Sequence, residues 1–316
     1  GSMSAKLYNS VEVYYPLDVA TDSSGNVYVM EYHNNRIKVF DSSGAYLRSF
    51  GGYGNSCNRW AYARQFAIYN DKIYIADTYN HRIKVLNLNG GCIWNNGARF
   101  NYPHAIAVGS SYVYVGHNNS YISHYTTSGV HQTGYYNAGS NLSYSWGMSL
   151  NSSGNKLIIA DYIKNRVVEF TVSGQSLSYS QATSGSFSSS NGYFRRPTDA
   201  AYDSSGNIYA ADLENHRIQV FALDGSFLRE FGTYNEVSGQ HSKPFDVNVY
   251  DSQIFVVDQI ESSILVFDLN GEFIKEFTVN QNTASTSEPY SVFVYDDLIF
   301  VSDIGDSSVK IFDLDG

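Results

Sequence analysis

The chain has little charge for its size: 16% of its 316 residues are Asp, Glu, Lys or Arg, against roughly a quarter in an average soluble domain. Its 20 Lys and Arg face 30 Asp and Glu, a formal charge of −10. That balance argues against a general polyanion binder, whose affinity comes from cations on phosphates. Two cysteines, Cys57 and Cys92, are too few for a disulfide scaffold; they stand either as one bridge made in an oxidising compartment or as two thiols. No apolar run approaches the roughly 20 residues of a membrane helix, so no membrane insertion is expected. There is no nucleophile elbow, HExxH or Gly-rich phosphate loop, which removes the commonest sequence signals of catalysis.

What is abundant is aromatic and turn-forming: 28 Tyr, 18 Phe and 26 Gly, with 43% hydrophobic residues to bury. This length divided by the usual 150 residues gives two domains, but all-β barrels and propellers spend it on one. Gly1, Ser2 and Met3 read as an appended leader, so residues 1–4 are set apart as tag or linker and 5–316 as one domain. Any signal peptide or flanking domain is expected to have been cut away. The triplets beginning at Asn118, Asn141 and Asn151 match the glycosylation acceptor pattern, but a chain so rich in Asn and Ser produces them by chance.

Self-similarity decides the architecture. The strongest copies start at Pro16, PLDVATDSSGNVYVMEYHNNRIKVF, and at Pro197, PTDAAYDSSGNIYAADLENHRIQVF; a third begins at Ala63. Two more start at Pro244 and Pro289, and degenerate ones at Pro103 and Ser145. The residue that ends the second strand of each copy is Glu31, Asp77, His117, Asp161, Asp212, Asp258 or Asp303, at spacings of 40 to 51 residues. Within a copy the apolar pattern has a period near two and the segments are short. In the fifth copy the strands fall at residues 199–202, 208–211, 217–221 and 227–231. Four antiparallel strands per unit of about 45 residues make a propeller blade, so the expectation is a seven-bladed β-propeller. The seventh copy ends after its third strand, while residues 5–13 lack a partner; the N-terminal segment is therefore expected to supply the missing outer strand and remove a bare sheet edge.

The words DSSGNVYV, IADTYNHRIKVL and ADLENHRIQVF resemble NHL repeats, from about residue 16 to the end. The copies at Pro103 and Ser145 depart most, with His117 at the acid position and Tyr121 near the Arg position. Many members of that family have six blades, so a six-bladed ring is the alternative. The resemblance implies a protein-binding, RNA-binding, sensor or enzymatic propeller without choosing among them.

Most motif residues have a structural reading. Asp or Asn in DSSGN bonds nearby amides, and Gly25, Gly154 and Gly206 take positive φ. The strand-ending acids cap the following turn, and Arg36, Arg82, Arg166 and Arg217 reach acids or carbonyls between blades. His33, His81 and His216 share those turns. Repeat length varies most between the fourth strand and the next first strand, so these loops, on one face with the second-to-third turns, are the expected binding surface. They carry Tyr53, Arg59, Trp60, Tyr62, Trp94, Arg99, Phe100, Tyr102, Tyr135, Tyr136, Tyr144, Tyr193, Phe194, Arg195, Arg196, Tyr234 and His241; Tyr, Trp and Arg dominate binding hot spots, although many of these rings can equally plug the loops onto the blades. The channel mouth is expected to be rimmed by Leu17, Arg64, His104, Trp146, Thr198, Phe245 and Tyr290. One residue deeper come Asp18, Gln65, Ala105, Gly147, Asp199, Asp246 and Ser291.

The first reading is a non-catalytic module, extracellular or surface-exposed and monomeric, that binds a protein or glycan through Trp60, Arg64, Tyr102, His104, Trp146, Phe245 and Tyr290. No cofactor is expected; Asp18, Asp199 and Asp246 are candidate ligands for calcium, an oxygen-seeking ion. The second reading is a metal-dependent lyase or hydrolase with a channel site. Resemblance to the peptide-amidating lyase implies a zinc held by histidines from several blades, yet only His104 is at the mouth. His104, His117, His124 and His131 share one unit but sit on successive strands about 4.8 Å apart, wide for one metal. The third reading is RNA binding through Arg59, Arg64, Arg99, Arg195 and Arg196.

Overall fold

The structure is a computed structural model, and it describes residues 6–7, 13–95, 101–128, 131–138, 141–174, 176–183, 185–232, 243–279 and 286–314, with only the backbone at 6, 7, 131–135 and 137. The fold is a seven-bladed β-propeller: seven four-stranded antiparallel sheets, six of them built from four consecutive strands. In the first blade these are Pro16–Thr21, Val27–Glu31, Arg36–Phe40 and Tyr46–Gly51. The fifth blade has Pro197–Tyr202, Ile208–Asp212, Arg217–Phe221 and Phe227–Phe231, within two residues of the sequence expectation. The seventh is completed from the other end of the chain, where Lys6 pairs with Ile311 and Leu7 with Lys310.

Packing divides the chain into two compact units. The first is residues 1–103, 262–264 and 277–316; the second is 104–261 and 265–276. In each, the second and third strands of a blade are buried on both faces, as their Val, Ile and Ala content requires. Tyr28, Ile37, Ile73 and Leu86 share one cluster in the first unit, and Tyr209, Val220, Val256 and Phe267 share one in the second. The DSSGN turns form as expected. Asp22 Oδ1 accepts the N–H groups of Ser24 and Asn26, and Asp203 Oδ1 those of Ser205 and Asn207, while Gly25 and Gly206 have φ of 78° and 85°.

One interaction recurs in six blades. The acid that ends the second strand, Glu31, Asp77, Asp161, Asp212, Asp258 or Asp303, is fully buried. It accepts the main-chain N–H of a residue shortly before the first strand, five places before it at Ala61 and one or two places at Tyr14, Ser143 and Tyr144, Arg195, Lys243 or Glu288, at 2.6 to 3.3 Å. In four of them the cross-strand neighbour is an arginine (Glu31 with Arg36, Asp77 with Arg82, Asp161 with Arg166, Asp212 with Arg217). The arginines also hold the loops: the Arg82 guanidinium donates to Ser56 and Arg59 carbonyls, and that of Arg217 to Ser190 and Tyr193 carbonyls. Lys84, without exposed side chain, donates to the Ser56, Cys57 and Arg59 carbonyls from below. Burial lowers its pKa to about 8, against the opposing pull of Asp77. Removing one member of such a buried set leaves the others uncompensated, at a cost of about 3–5 kcal/mol. Asp77→Ala is therefore expected to lower the unfolding free energy by that amount in urea titrations, and Asp77→Asn by less.

Candidate functional site

In five blades the first strand begins with a bulge. The register slips between Pro16 and Asp18, Ser145 and Met148, Pro197 and Ala200, Pro244 and Val247, and Pro289 and Ser291. Bulges re-aim side chains, and these fall on the two positions expected at the channel mouth. The residue before the first position of a repeat is often left-handed: φ is 52° at Tyr15, 49° at Tyr62, 48° at Tyr102 and 53° at Arg196. Its N–H is caught by a side chain of the preceding blade, from Tyr62 by Asn35 Oδ1, from Tyr102 by His81 Nδ1 and from Arg196 by Asn165 Oδ1. Bulky residues avoid that conformation, which costs on the order of 1–3 kcal/mol.

In the first unit these tyrosines join others from the second-to-third turns in a continuous aromatic band. Ring centroids are 4.5 Å apart for Tyr15 and His33, 5.3 Å for Tyr32 and Tyr62, 5.3 Å for Tyr62 and Tyr79, and 5.5 Å for Tyr79 and Tyr102. Tyr14 lies 5.9 Å from His33 and Tyr53 6.0 Å from Tyr62. Most contacts are tilted or edge-on, the favoured quadrupolar arrangement. Tyr14, Tyr53 and Tyr79 are 54%, 65% and 50% exposed, so the band faces solvent. The Arg64 guanidinium lies over the Tyr32 ring at 5.9 Å; burial raises the Tyr32 pKa and Arg64 opposes that.

Trp60, expected among the ligand contacts, is instead fully buried in the core. A Cβ at Gly51 (φ 112°) would stand 2.4 Å from its ring, so Trp60 plugs the loop onto the blade and does not meet a ligand. Phe194 is likewise buried. Arg64, Tyr102 and Tyr290 are half-buried. Arg99, Phe100, Tyr234, His241 and the Tyr135 side chain lie outside the described residues. Cys57 and Cys92 are joined as a disulfide, with Cα atoms 5.7 Å apart, tying the loop that carries Tyr53 and Tyr62 to the outer strand Cys92–Asn95.

In the second unit Tyr144 lies 4.8 Å from His104, with its hydroxyl 3.0 Å from His104 Nε2. Trp146 lies 5.7 Å from Tyr144, stacks on Tyr162 at 4.8 Å and meets Phe245 edge-on at 6.2 Å. Arg196 covers Tyr162 at 5.5 Å and pairs with Glu214 at 2.8 Å. Asp199 and Asp246 lie together here. Asp199 Oδ2 accepts the Val247 N–H at 3.3 Å, and burial first, then the Asp246 charge and hydrogen bond, hold its carboxyl well above the usual range. Asp18, in the first unit, has the same job toward its neighbour, accepting the Phe66 N–H at 3.0 Å. Among the described residues, no three His, Cys, Asp or Glu side chains are grouped to hold a metal ion. His117 is buried, its Nε2 is 2.8 Å from Ser123 Oγ, and burial pushes its pKa down to about 3.

Tyr32, His33, Tyr79 and Tyr162 were not among the sequence candidates, although they directly follow the strand-ending acids in EYH, DTY and DY.

The NHL repeat profile matches residues 13–40 and 194–221. The chain is 30% identical over 96 residues to Protein brain tumor of Drosophila melanogaster, a match covering 29% of this chain and 9% of that protein; it thus spans under a tenth of that relative. It is similar in structure to a catalytically inactive His-to-Ala variant of virginiamycin B lyase from Staphylococcus aureus with quinupristin (TM-score 0.77, 13% identity, 99% of each chain). A streptogramin B lyase superposes with TM-score 0.76 at 14% identity, covering 98% of this chain and 97% of that one. At such identities the likeness is one of fold.

Two outcomes follow from this geometry. The disulfide closes a loop of 35 residues, so Cys57→Ser with Cys92→Ser is expected to cost about 3–4 kcal/mol in chemical denaturation. Asp199 binds its proton more tightly folded than unfolded, so its contribution to stability falls as pH rises from the ordinary aspartate value through the folded one. Asp199→Asn is expected to remove that decline, at most about 1.4 kcal/mol per pH unit, in urea titrations run upward from the ordinary aspartate pKa of about 4.

Proposed function

We propose that this protein is a non-catalytic binding module that recognises a protein or glycan through its aromatic face. The observation that carries this reading is the solvent-facing tyrosine band of the first unit, with three tyrosines held left-handed where glycine would sit without strain. Tyrosine offers a broad amphipathic contact at low rotamer cost, and the band is fixed before any ligand arrives. The Cys57–Cys92 disulfide supports an oxidising, extracellular or surface setting.

A lyase is the second reading, favoured by one observation: His104 and the Tyr144 hydroxyl lie 3.0 Å apart beside Trp146, an acid–base pair at an aromatic site. The similar lyase fold is in keeping with it. RNA binding has weaker support, since Arg64 lies over Tyr32, Arg195 over Phe187, and Arg196 is paired with Glu214.

The test is a glycan array and a surface-protein library probed with wild type and with Tyr53→Ala plus Tyr79→Ala. Both side chains are half exposed or more, so thermal unfolding is expected to stay unchanged. Binding is expected to weaken at least tenfold, the scale of one hot spot or more. Undiminished binding by the double variant, or turnover of a bound ligand that His104→Ala abolishes, overturns the reading.

A further inference from the structure

Three tyrosines of the first unit's band are fixed relative to one another by main-chain bonds. The Tyr79 N–H donates to the carbonyl of Ala61, the neighbour of Tyr62, at 3.1 Å. Two residues after Tyr79, the His81 ring catches the Tyr102 N–H at 3.3 Å. Tyr62 and Tyr102 are corresponding residues at the entries of neighbouring blades, both half-buried and left-handed, and Tyr79, 50% exposed, stands between them. Its ring is inclined at 66° to that of Tyr62, 5.3 Å away, and at 87° to that of Tyr102, 5.5 Å away. Two notches result, one between Tyr62 and Tyr79 and one between Tyr79 and Tyr102. Tyr53, 65% exposed, borders the first, inclined at 64° to the Tyr62 ring and 6.0 Å from it.

We propose that these two notches bind a proline-rich protein segment in the polyproline II conformation, one proline in each, at positions i and i+3. The inference rests on the reading of this face as a binding surface and names its ligand. Spacing selects the ligand: residues i and i+3 of a polyproline II helix are about 9.3 Å apart, and the Tyr62 and Tyr102 ring centres, both beside Tyr79, are at most about 11 Å apart. Tilt agrees with spacing, because a pyrrolidine ring enters between two inclined rings, as in other aromatic-lined grooves that take such segments. A sugar ring stacks flat on one face and meets the next, inclined ring as an obstacle. The hydrogen-bonding inventory points the same way. Proline has no N–H, so the segment asks for donors to its carbonyls, and tyrosine hydroxyls donate. A sugar brings hydroxyl donors that need acceptors, yet the carboxylates beside the band, Glu31 and Asp77, have no exposure. Charge sets the flank. The one charged residue of the loop 52–62 is the exposed Arg59, with its Nη1 3.5 Å from the Tyr53 carbonyl, so an acidic residue beside the prolines is the complementary one. The polyproline II helix is a conformer of the free segment, and both notches are formed in advance, so little ordering is lost on binding.

The experiment is fluorescence anisotropy of the full chain with labelled peptides. One carries proline at every third position and a glutamate at each end. A second has the same residues with the prolines at alternate positions, where no two are three apart; a third has glutamine for the glutamates; a fourth is Gly and Ser only. Saturable binding of the first peptide is expected, about tenfold tighter than the second and several-fold tighter than the third, with none for the fourth. Tyr79→Ala is expected to weaken the first peptide at least tenfold, with thermal unfolding as the check on folding. Arg59→Ala is expected to remove the preference for glutamate over glutamine. Should Tyr79→Ala not fold, Tyr53→Ala decides, through a loss of about threefold or more. Equal affinity for the two proline spacings, or affinity that survives the tyrosine variants, overturns the proposal. If the peptides do not bind but a glycan or another protein does, and Tyr53→Ala plus Tyr79→Ala abolishes that binding, the proposal falls and the broader reading stands. If nothing binds through these tyrosines, both fall.

Discussion

The buried carboxylate at the end of each second strand governs this fold. An isolated carboxylate without exposure is costly, and burial does raise the pKa of Asp161 and Asp212. The cost is offset because each carboxylate is given main-chain N–H donors, in four blades with an arginine across the strand pair. What the acid secures is the entry of the chain into the blade, at the place where connections of irregular length must return to register. The latch uses main-chain N–H groups, so it is indifferent to the side chains at Tyr14, Ala61, Arg195 and Glu288. Those side chains are free to change while the wedge beneath them is kept.

The aromatic band is a consequence of that arrangement. A residue that follows a latched N–H at the entry to a blade has little conformational choice, and at Tyr15 and Tyr62 in the first unit it becomes left-handed; Tyr102 does the same without an acid before it, its own N–H caught by His81. Asn35 and His81, themselves left-handed with φ of 53° and 55°, catch the next N–H and fix where the Tyr62 and Tyr102 rings stand. The turn tyrosines Tyr32 and Tyr79 fill the intervals. The surface is thus rigid because of main-chain bonding below it, and needs no packing from above to hold its shape.

Much of this was legible from residues alone. The repeat, the strand limits and the closing N-terminal strand follow from a strict period and from turn chemistry that is local to five residues. Burial of loop side chains was not legible, because Trp60 and Tyr62 look alike in sequence and only the close approach of Gly51 decides that one goes in and the other out. The partners of Asp18 and Asp199 were hidden for the same reason: their acceptor role spans 48 residues, to Phe66 and Val247, and reads in sequence as a cluster of carboxylates fit for calcium. The turn tyrosines are not legible as contacts because EYH, DTY and DY sit inside a repeat motif whose acid and arginine are structural, whereas a turn can be constant in backbone and still present a ring.

The third blade shows what happens when the governing acid is replaced. His117 cannot stand in as an anion. Burial holds it neutral, and its Nε2 meets the Ser123 hydroxyl. The chain that enters this blade is held by His81, which catches the Tyr102 N–H at 3.3 Å, a longer and uncharged bond. A neutral pair in the interior costs less desolvation than an ion pair but gives a weaker anchor. Loss of the acid is therefore tolerated once in the cycle because the blades on either side of a connection share the work of holding it, and a second neutral position beside the first would remove that redundancy.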